Sequence, residues 1–530
     1  MVMKTIKMNT NKVFNIFLLI LLLVGILIRF DINDRPILFN EGTYAYIADK
    51  MLNEDMKYLD IYDSKPPGIY YIFMAFMTIF GNKQTSFHLV SAISDTIIIL
   101  LIFVIASSFF NKRTALLSCA LYSFSFLPVS VSVGGFLEPP MMVFMLLCVL
   151  FYIKGIKNNK YSNFFLAGFF LSISFMIKQP AIVFFLSVIL YQFSCIYYRD
   201  QSLLQSFKQF FSFLIGFLSL FIPIVLSLIL TGRFAKYIFS VYYSNFSYGP
   251  GFIEKLSLVI DYVLNTIPFL IFLSIISFIM LLSHLKKKSV RFLFSWLIPV
   301  ILLILLASDF QAHYLIQLFP ILVITISFVC MWLDKNQPKK ILYFFLILIF
   351  LLNAFYLFFD LRSLHTTPVH EKHFYEFVDR TFDFGILSDI LYSKFDYRLT
   401  PPFSRHRSAF QYSSYNQQVN IARFLDKYLN ETDKFITTVP TYLYLIKREN
   451  NYRYVWINPM IAGITDISDF SQYASDSKYF LFEYWQDEQG HISVIFLNCI
   501  KKNWKLIESI DNWHTHVYKN IDSEVCRDIW

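Results

Sequence analysis

Residues 58–68 read Tyr-Leu-Asp-Ile-Tyr-Asp-Ser-Lys-Pro-Pro-Gly, which puts Asp60, Asp63 and Lys65 in one polar stretch soon after the first long apolar run. An ammonium is a compact point charge suited to phosphate, and Pro66-Pro67 imposes an extended backbone that fixes where Lys65 presents it. A nearby carboxylate can take a proton from a hydroxyl. The stretch therefore has the chemistry to hold a lipid phosphate at headgroup level. The plainer reading of Lys65 is a snorkelling lysine whose stem lies along apolar surface.

Other polar residues punctuate the apolar sequence. Asn40-Glu41-Gly42-Thr43-Tyr44 opens a segment in which Tyr44, Ile47, Ala48, Met51 and Leu52 recur at helical spacing. This predicts an amphipathic interfacial helix with Glu41 near its start, where a carboxylate is also favoured by the helix dipole alone. Glu138 stands in Leu137-Glu138-Pro139-Pro140 at the mouth of a span, and Lys178-Gln179-Pro180 lies at a hairpin between two spans. A carboxylate at a span end marks function when it borders a cavity, whereas the hairpin alone accounts for polar residues and proline. His313, Tyr314 and Gln317 open another span, with His313 and Gln317 expected one turn apart on a single helix face.

The elements that must carry these residues are membrane helices. Of 530 residues, 56% are hydrophobic, 19% aromatic and only 16% charged, a composition that excludes an ordinary soluble protein. Apolar runs near 13–30, 86–110, 114–131, 139–154, 162–178, 180–197, 209–230, 264–283, 292–307, 313–332 and 341–359 predict eleven spans. The segment 66–80, about 15 residues and roughly 22 Å as a helix, is too short for a core of about 30 Å and reads as a helix in the outer leaflet. Lysines before residue 13, with no small-residue cleavage site after the first run, read as an uncleaved anchor.

The net charge of +9 lies mostly between spans, which argues for topology signals and against nucleic-acid binding. With the N-terminus inside, the basic segments around Lys112, Lys157, Arg199, Lys286–Lys288 and Lys335 are cytoplasmic, and the opposite loops hold only Lys178, Arg233, Lys236 and Lys255. Eleven spans then put Glu41, Asp60, Lys65, Glu138, Lys178 and His313 on one outer face, together with everything after residue 360. The fold class is a polytopic α-helical membrane protein with a small extracytoplasmic α/β C-terminal domain. Its domains are 1–360 in the membrane, including an outer loop at 31–84, a linker at 361–415, and the α/β domain at 416–530.

Taken in order, Asn40-Glu41-Gly42-x-Tyr44, Tyr58-x-Asp60, Lys65-Pro66-Pro67-Gly68, Leu137-Glu138-Pro139, Lys178-Gln179-Pro180 and His313-Tyr314-x-x-Gln317-x-x-Pro320 resemble the GT-C membrane glycosyltransferases. Within that superfamily the chain is most similar to dolichyl-phosphate-mannose protein mannosyltransferases and lipid A aminoarabinose transferases. The resemblance implies a plasma or inner membrane enzyme that moves a sugar from a polyprenyl-phosphate carrier to a hydroxyl on a glycan, lipid or protein acceptor. It implies catalytic carboxylates at Glu41, Asp60 and Glu138, donor-phosphate ligands at Lys65, Lys178 and His313, and substrate-lining positions at Asn40, Tyr44, Tyr314 and Gln317. No cofactor follows from it, and a divalent metal is left open. Asn40 stands where the family motif reads Asp, and asparagine cannot be a general base. Either Glu41 is the base, with Asp60 or Glu138 beside it, or the chain is weakened or inactive, and Glu41 as base is the preferred reading.

In the C-terminal domain, 417–429 has helical periodicity, and 434–439, 453–457, 478–485 and 492–497 read as strands. Cys119, Cys148, Cys195 and Cys330 fall in spans, whereas Cys499 and Cys526 could pair outside. Two other functions are compatible with the sequence: a lipid or solute transporter, disfavoured because no internal repeat is evident, and an inactive scaffold, suggested by Asn40.

Overall fold

The computed structural model describes residues 10–29, 37, 39–54, 56–61, 63–133, 136–243, 268–306 and 312–336, isolated positions within 253–260, and four strands within 435–520. Apolar runs become helices because a backbone in lipid must satisfy its own hydrogen bonds. In chain order the helices are α1 (Thr10–Arg29), α2 (Phe39–Asn53), α3 (Gly68–Phe80), α4 (Gln84–Phe109), α5 (Lys112–Ser123), α6 (Phe126–Val133) and α7 (Glu138–Asn158). They continue as α8 (Tyr161–Ile177), α9 (Phe184–Tyr197), α10 (Leu203–Leu230), α11 (Phe234–Ile238), α12 (Pro268–Leu282), α13 (Lys288–Leu306) and α14 (Phe319–Asn336).

Among the described residues, five helices are long and apolar enough to cross a membrane: Thr85–Phe109, Glu138–Asn158, Gln179–Tyr197, Leu203–Leu230 and Lys288–Leu306. Shorter apolar helices cover Phe14–Leu27, Gly68–Phe80, Tyr161–Ile177, Leu270–Leu282 and Phe319–Trp332. The protein is a multi-pass membrane protein, and the first ten expected spans each coincide with helix. The run at 341–359 lies outside the described residues.

Three expectations differ in detail. The span at 114–131 is broken between α5 and α6, because Pro128 has no N–H for the Phe124 carbonyl and its ring clashes there. The span at 313–332 starts only at Phe319: Pro320 bars helix continuing backwards, and Ala312–Gln317 forms a 3₁₀ turn instead. Four residues on a 3₁₀ turn do not share a face, so His313 and Gln317 are not stacked as an α-helix would stack them. Finally, residues 41–50 of α2 are all buried, so that stretch of the expected amphipathic helix shows no exposed polar face.

The chain divides into two compact units. The first holds α1, nearly all of α4, α5–α10 and α12–α14. Backbones approach closely between α8 and α10, where a Cβ on Gly168 would strike the Phe213 backbone and a Cβ on Gly216 the Phe165 backbone. Small residues that let helix backbones touch are the usual device of membrane packing. Charge is buried here too: Arg29 ion-pairs Asp95 and donates to the carbonyls of Gly25 and Ser123 at 3.2 Å each, while Tyr122 donates to Asp95 at 2.6 Å.

The second unit holds α2, α3, α11 and a sheet in the order β1-β2-β4-β3. Its strands are β1 (Phe435–Thr437), β2 (Tyr479–Glu483), β3 (Trp504–Ile510) and β4 (Thr515–Asn520), with β1 and β2 parallel and the other pairs antiparallel. Strands β1 and β2 fall in runs legible from sequence, and the β3–β4 hairpin does not. The segments 417–429, 453–457 and 492–497, with Cys499 and Cys526, lie outside the described residues. Cys119, Cys148, Cys195 and Cys330 are buried free thiols.

Candidate functional site

In the first unit, Pro139 and Pro140 stand in the first turn of α7, where proline's fixed φ suits a helix start and its missing N–H costs nothing. They set the register that puts Glu138 in that same turn, buried to 1% exposure. Lys178 ends α8 with extended backbone, φ −153° and ψ 131°, before a 3₁₀ turn (Gln179–Val183); Pro180 has no N–H for the Met176 carbonyl and its ring clashes there, so α8 cannot run on through it. The extension sends its side chain to Glu138, and Nζ ion-pairs with Oε1. Ser174 Oγ donates to the Met141 carbonyl at 2.8 Å and locks α8 to α7 beside the pair.

The Ala312–Gln317 turn completes this cluster. His313 Nε2 lies 3.4 Å from the same Oε1 of Glu138, and Phe136 stacks on the imidazole with centroids 4.5 Å apart. The Tyr314 ring meets His313 edge-on and has Lys178 Nζ 4.5 Å from its centroid, a cation–π contact. Glu138 Oε2 and Gln317 Oε1 are buried acceptors without a hydrogen-bond partner. The chemistry on offer is two basic side chains around one carboxylate, walled by aromatic rings.

In the second unit, the polar loop is built around its two aspartates. Asp60 accepts from Lys57 N–H and from Arg233 Nη2, both at 2.8 Å, and the neighbouring Leu59 adopts φ 72°, with its carbonyl taken by Lys236. Burial works against the Asp60 charge, but the Arg233 and Lys57 hydrogen bonds and the charges of Arg233 and Lys236 outweigh it and hold the carboxyl below its ordinary range. Asp63 is buried and accepts from Ser64 N–H and Tyr70 hydroxyl, each at 2.6 Å. Burial pushes its carboxyl up, and Lys65, Tyr70 and Ser64 only partly offset this.

Lys65 is positioned by that network. Its carbonyl accepts from the Tyr58 hydroxyl at 2.8 Å, and its Nζ donates to Ser64 Oγ at 2.9 Å. Pro66 and Pro67 follow, and α3 begins at Gly68. Asn40, Glu41 and Tyr44 lie in the first turns of α2. Glu41 is fully buried, and Tyr44 meets Tyr70 and Phe73 edge-on at 6.3 and 5.9 Å.

The expected site residues thus fall into two groups: Glu138, Lys178, His313, Tyr314 and Gln317 in the first unit, and Asn40, Glu41, Tyr44, Asp60 and Lys65 in the second. Sequence reasoning gave no role to Tyr70, Arg233 or Lys236, and none of its own to Asp63. Asp63 was readable as a second acid two residues from Lys65, whereas Arg233 is far along the chain and carried no local signal. Among the described residues, no three His, Cys, Asp or Glu side chains group as metal ligands.

Residues 64–226 match the family model described as dolichyl-phosphate-mannose-protein mannosyltransferase. No curated protein sequence matches the chain. The fold is similar to that of ArnT from Cupriavidus metallidurans bound to undecaprenyl phosphate, with TM-score 0.61 and 13% identity over 97% of this chain and 99% of that one. It is also similar to the archaeal oligosaccharyltransferase AglB from Archaeoglobus fulgidus in complex with an inhibitory peptide and a dolichol-phosphate, with TM-score 0.57 and 11% identity over 98% and 75% of the two chains. The GT-C resemblance carried by the motifs is met in both ways. The family match spans Lys65, Glu138 and Lys178, and the fold match runs nearly the whole chain.

Proposed function

We propose that the protein is a GT-C glycosyltransferase that takes a sugar from a polyprenyl-phosphate carrier and passes it to a hydroxyl acceptor on the extracytoplasmic face. The observation that carries this reading is the buried Glu138–Lys178–His313 cluster at the start of an apolar helix long enough to span a membrane. Ionisable groups are expensive in that setting and mark function. The family match over 64–226 and the structures of ArnT with undecaprenyl phosphate and AglB with dolichol-phosphate support the lipid-phosphate carrier.

In the reaction, a carboxylate takes the acceptor's hydroxyl proton as its oxygen bonds to the anomeric carbon. The bond from that carbon to the phosphate oxygen breaks, and the phosphate leaves with the electron pair and one added negative charge. Cations stabilise that charge as it develops. We assign the base to Glu41, the carboxylate of the Asn40-Glu41-Gly42 motif, where the neighbouring asparagine cannot take a proton. Lys65, Lys178 and His313 are the assigned phosphate ligands, and Asn40, Tyr44, Tyr314 and Gln317 the assigned lining positions.

Lipid mass spectrometry on wild type and Lys65→Ala purified side by side tests the carrier. Polyprenyl phosphate or its glycosylated form is expected with wild type and depleted in the variant. Failure of both to retain such a lipid added in excess would sink the reading. Asn40 favours one rival, an inactive scaffold. On the proposed reading Asn40→Asp leaves transfer activity of the same order, whereas appearance of activity only in that variant would show a degenerate enzyme.

A further inference from the structure

We propose that Glu138 makes the Lys178–His313 cluster selective for a phosphodiester over a phosphomonoester. This rests on reading the cluster as a lipid-phosphate site and goes beyond it by naming the charge state that the site admits.

The selectivity follows from a count of charge. Lys178 Nζ and His313 Nε2 both address Glu138 Oε1, and the Glu138 side chain is 1% exposed. An incoming phosphate therefore meets a cluster that the carboxylate has already balanced. Its net charge is zero with His313 neutral and +1 with His313 protonated. A sugar donor linked through phosphate is a diester with a single negative charge, whereas the lipid phosphate left after transfer is a monoester with a second ionisation near pH 6, carrying about −1.5 to −2 at neutral pH. In a buried, weakly screened setting the added charge is felt strongly by a fixed carboxylate a few ångströms away.

The same reaction that breaks the sugar–phosphate bond thus creates the charge that Glu138 repels. The donor is accepted and the spent carrier expelled. The unpartnered Oε2 fits this assignment, since a buried acceptor is costly until a donor reaches it, and a hydroxyl of the donor's sugar can supply one.

Among the described residues of the first unit few other charges enter the count, and Lys65, assigned to the same phosphate, shifts it by one positive charge without changing what Glu138 opposes. Helix α6 (Phe126–Val133) and the Gln179–Val183 turn contain no charged side chain, and the Ala312–Gln317 turn brings only His313 and Tyr314 as titratable groups. The charges of α13, Lys288 and Arg291, pair with Asp200. Those of α14, Asp334 and Lys335, stand in its last turn.

The test is competition binding to the full chain in detergent, with undecaprenyl phosphate as monoester and undecaprenyl methyl phosphate as diester, at about pH 8 and about pH 5.5, on either side of the second phosphate ionisation. Wild type is expected to favour the diester by about tenfold at the higher pH, with the ratio closing towards one at the lower pH as the monoester loses its second charge. Glu138→Gln should abolish or reverse the preference at the higher pH. A site that was simply cationic would do the opposite in wild type, binding the dianion more tightly and losing that advantage on acidification. That result overturns the proposal, as does an unchanged ratio in Glu138→Gln. If this variant fails to fold, the wild-type pH series decides alone. Lys178→Met separates the two levels: loss of both ligands with an unaltered Glu138→Gln ratio sinks only the selectivity, and unchanged binding of both sinks the phosphate reading of the cluster.

Discussion

Asp60 and Asp63 stand three residues apart on one loop, yet their surroundings drive their carboxyls in opposite directions. A carboxyl held low by cations contributes stability above the ordinary carboxylate range and loses it only as pH falls through its depressed value. The Asp60–Arg233 tie therefore persists into mild acid. A buried carboxyl pushed up behaves in reverse: its stability is fully present below the unfolded value near 3.9 and is lost as pH rises through the raised one. Asp63→Asn keeps an acceptor for Tyr70 and removes a charge that burial penalises. Its melting temperature is expected to equal or exceed wild type near neutral pH, with the gain shrinking towards pH 4, as a thermal series across pH would measure. A gain that grows on acidification would contradict the assignment.

At the scale of elements, prolines decide where helices begin and glycines how closely they approach. Pro128 and Pro320 cut two apolar runs that hydropathy alone reads as continuous, and the second cut creates the 3₁₀ turn that carries His313 and Tyr314. The α8–α10 contact has no room for even a methyl group, since what a Cβ at Gly168 would meet is backbone, which cannot rotate aside. Gly168→Ala is expected to cost about 1–3 kcal/mol, the range for overpacking a tight interior. The check is a lowered melting temperature in detergent, with Gly232→Ala as a control for loss of a glycine, there at positive φ and with open space around it. No loss in Gly168→Ala would mean that the helices part to admit a methyl group, whatever the positive-φ strain costs Gly232→Ala.

For the molecule as a whole, orientation remains an inference from where lysine and arginine fall. With the N-terminus inside, Lys57 lies outside and Lys287 in the cytoplasm, and both are exposed. A membrane-impermeant maleimide applied to intact cells is expected to label Lys57→Cys and not Lys287→Cys; labelling of both from one side would refute the odd span number and the extracytoplasmic placement of the C-terminal domain. Membrane class, helix positions and the motif residues were legible in the sequence by itself, because hydropathy, proline and local spacing act within a few turns of chain. The β3–β4 hairpin escaped because its alternation is short and mixed with charge. What only the tertiary structure decided was pairing. Lys178 meets Glu138 across 40 residues, Arg233 meets Asp60 across 173, and Arg29 meets Asp95 across 66. A buried charge must find an opposite charge or hydrogen bonds in three dimensions, and no rule of local spacing says which one it will find.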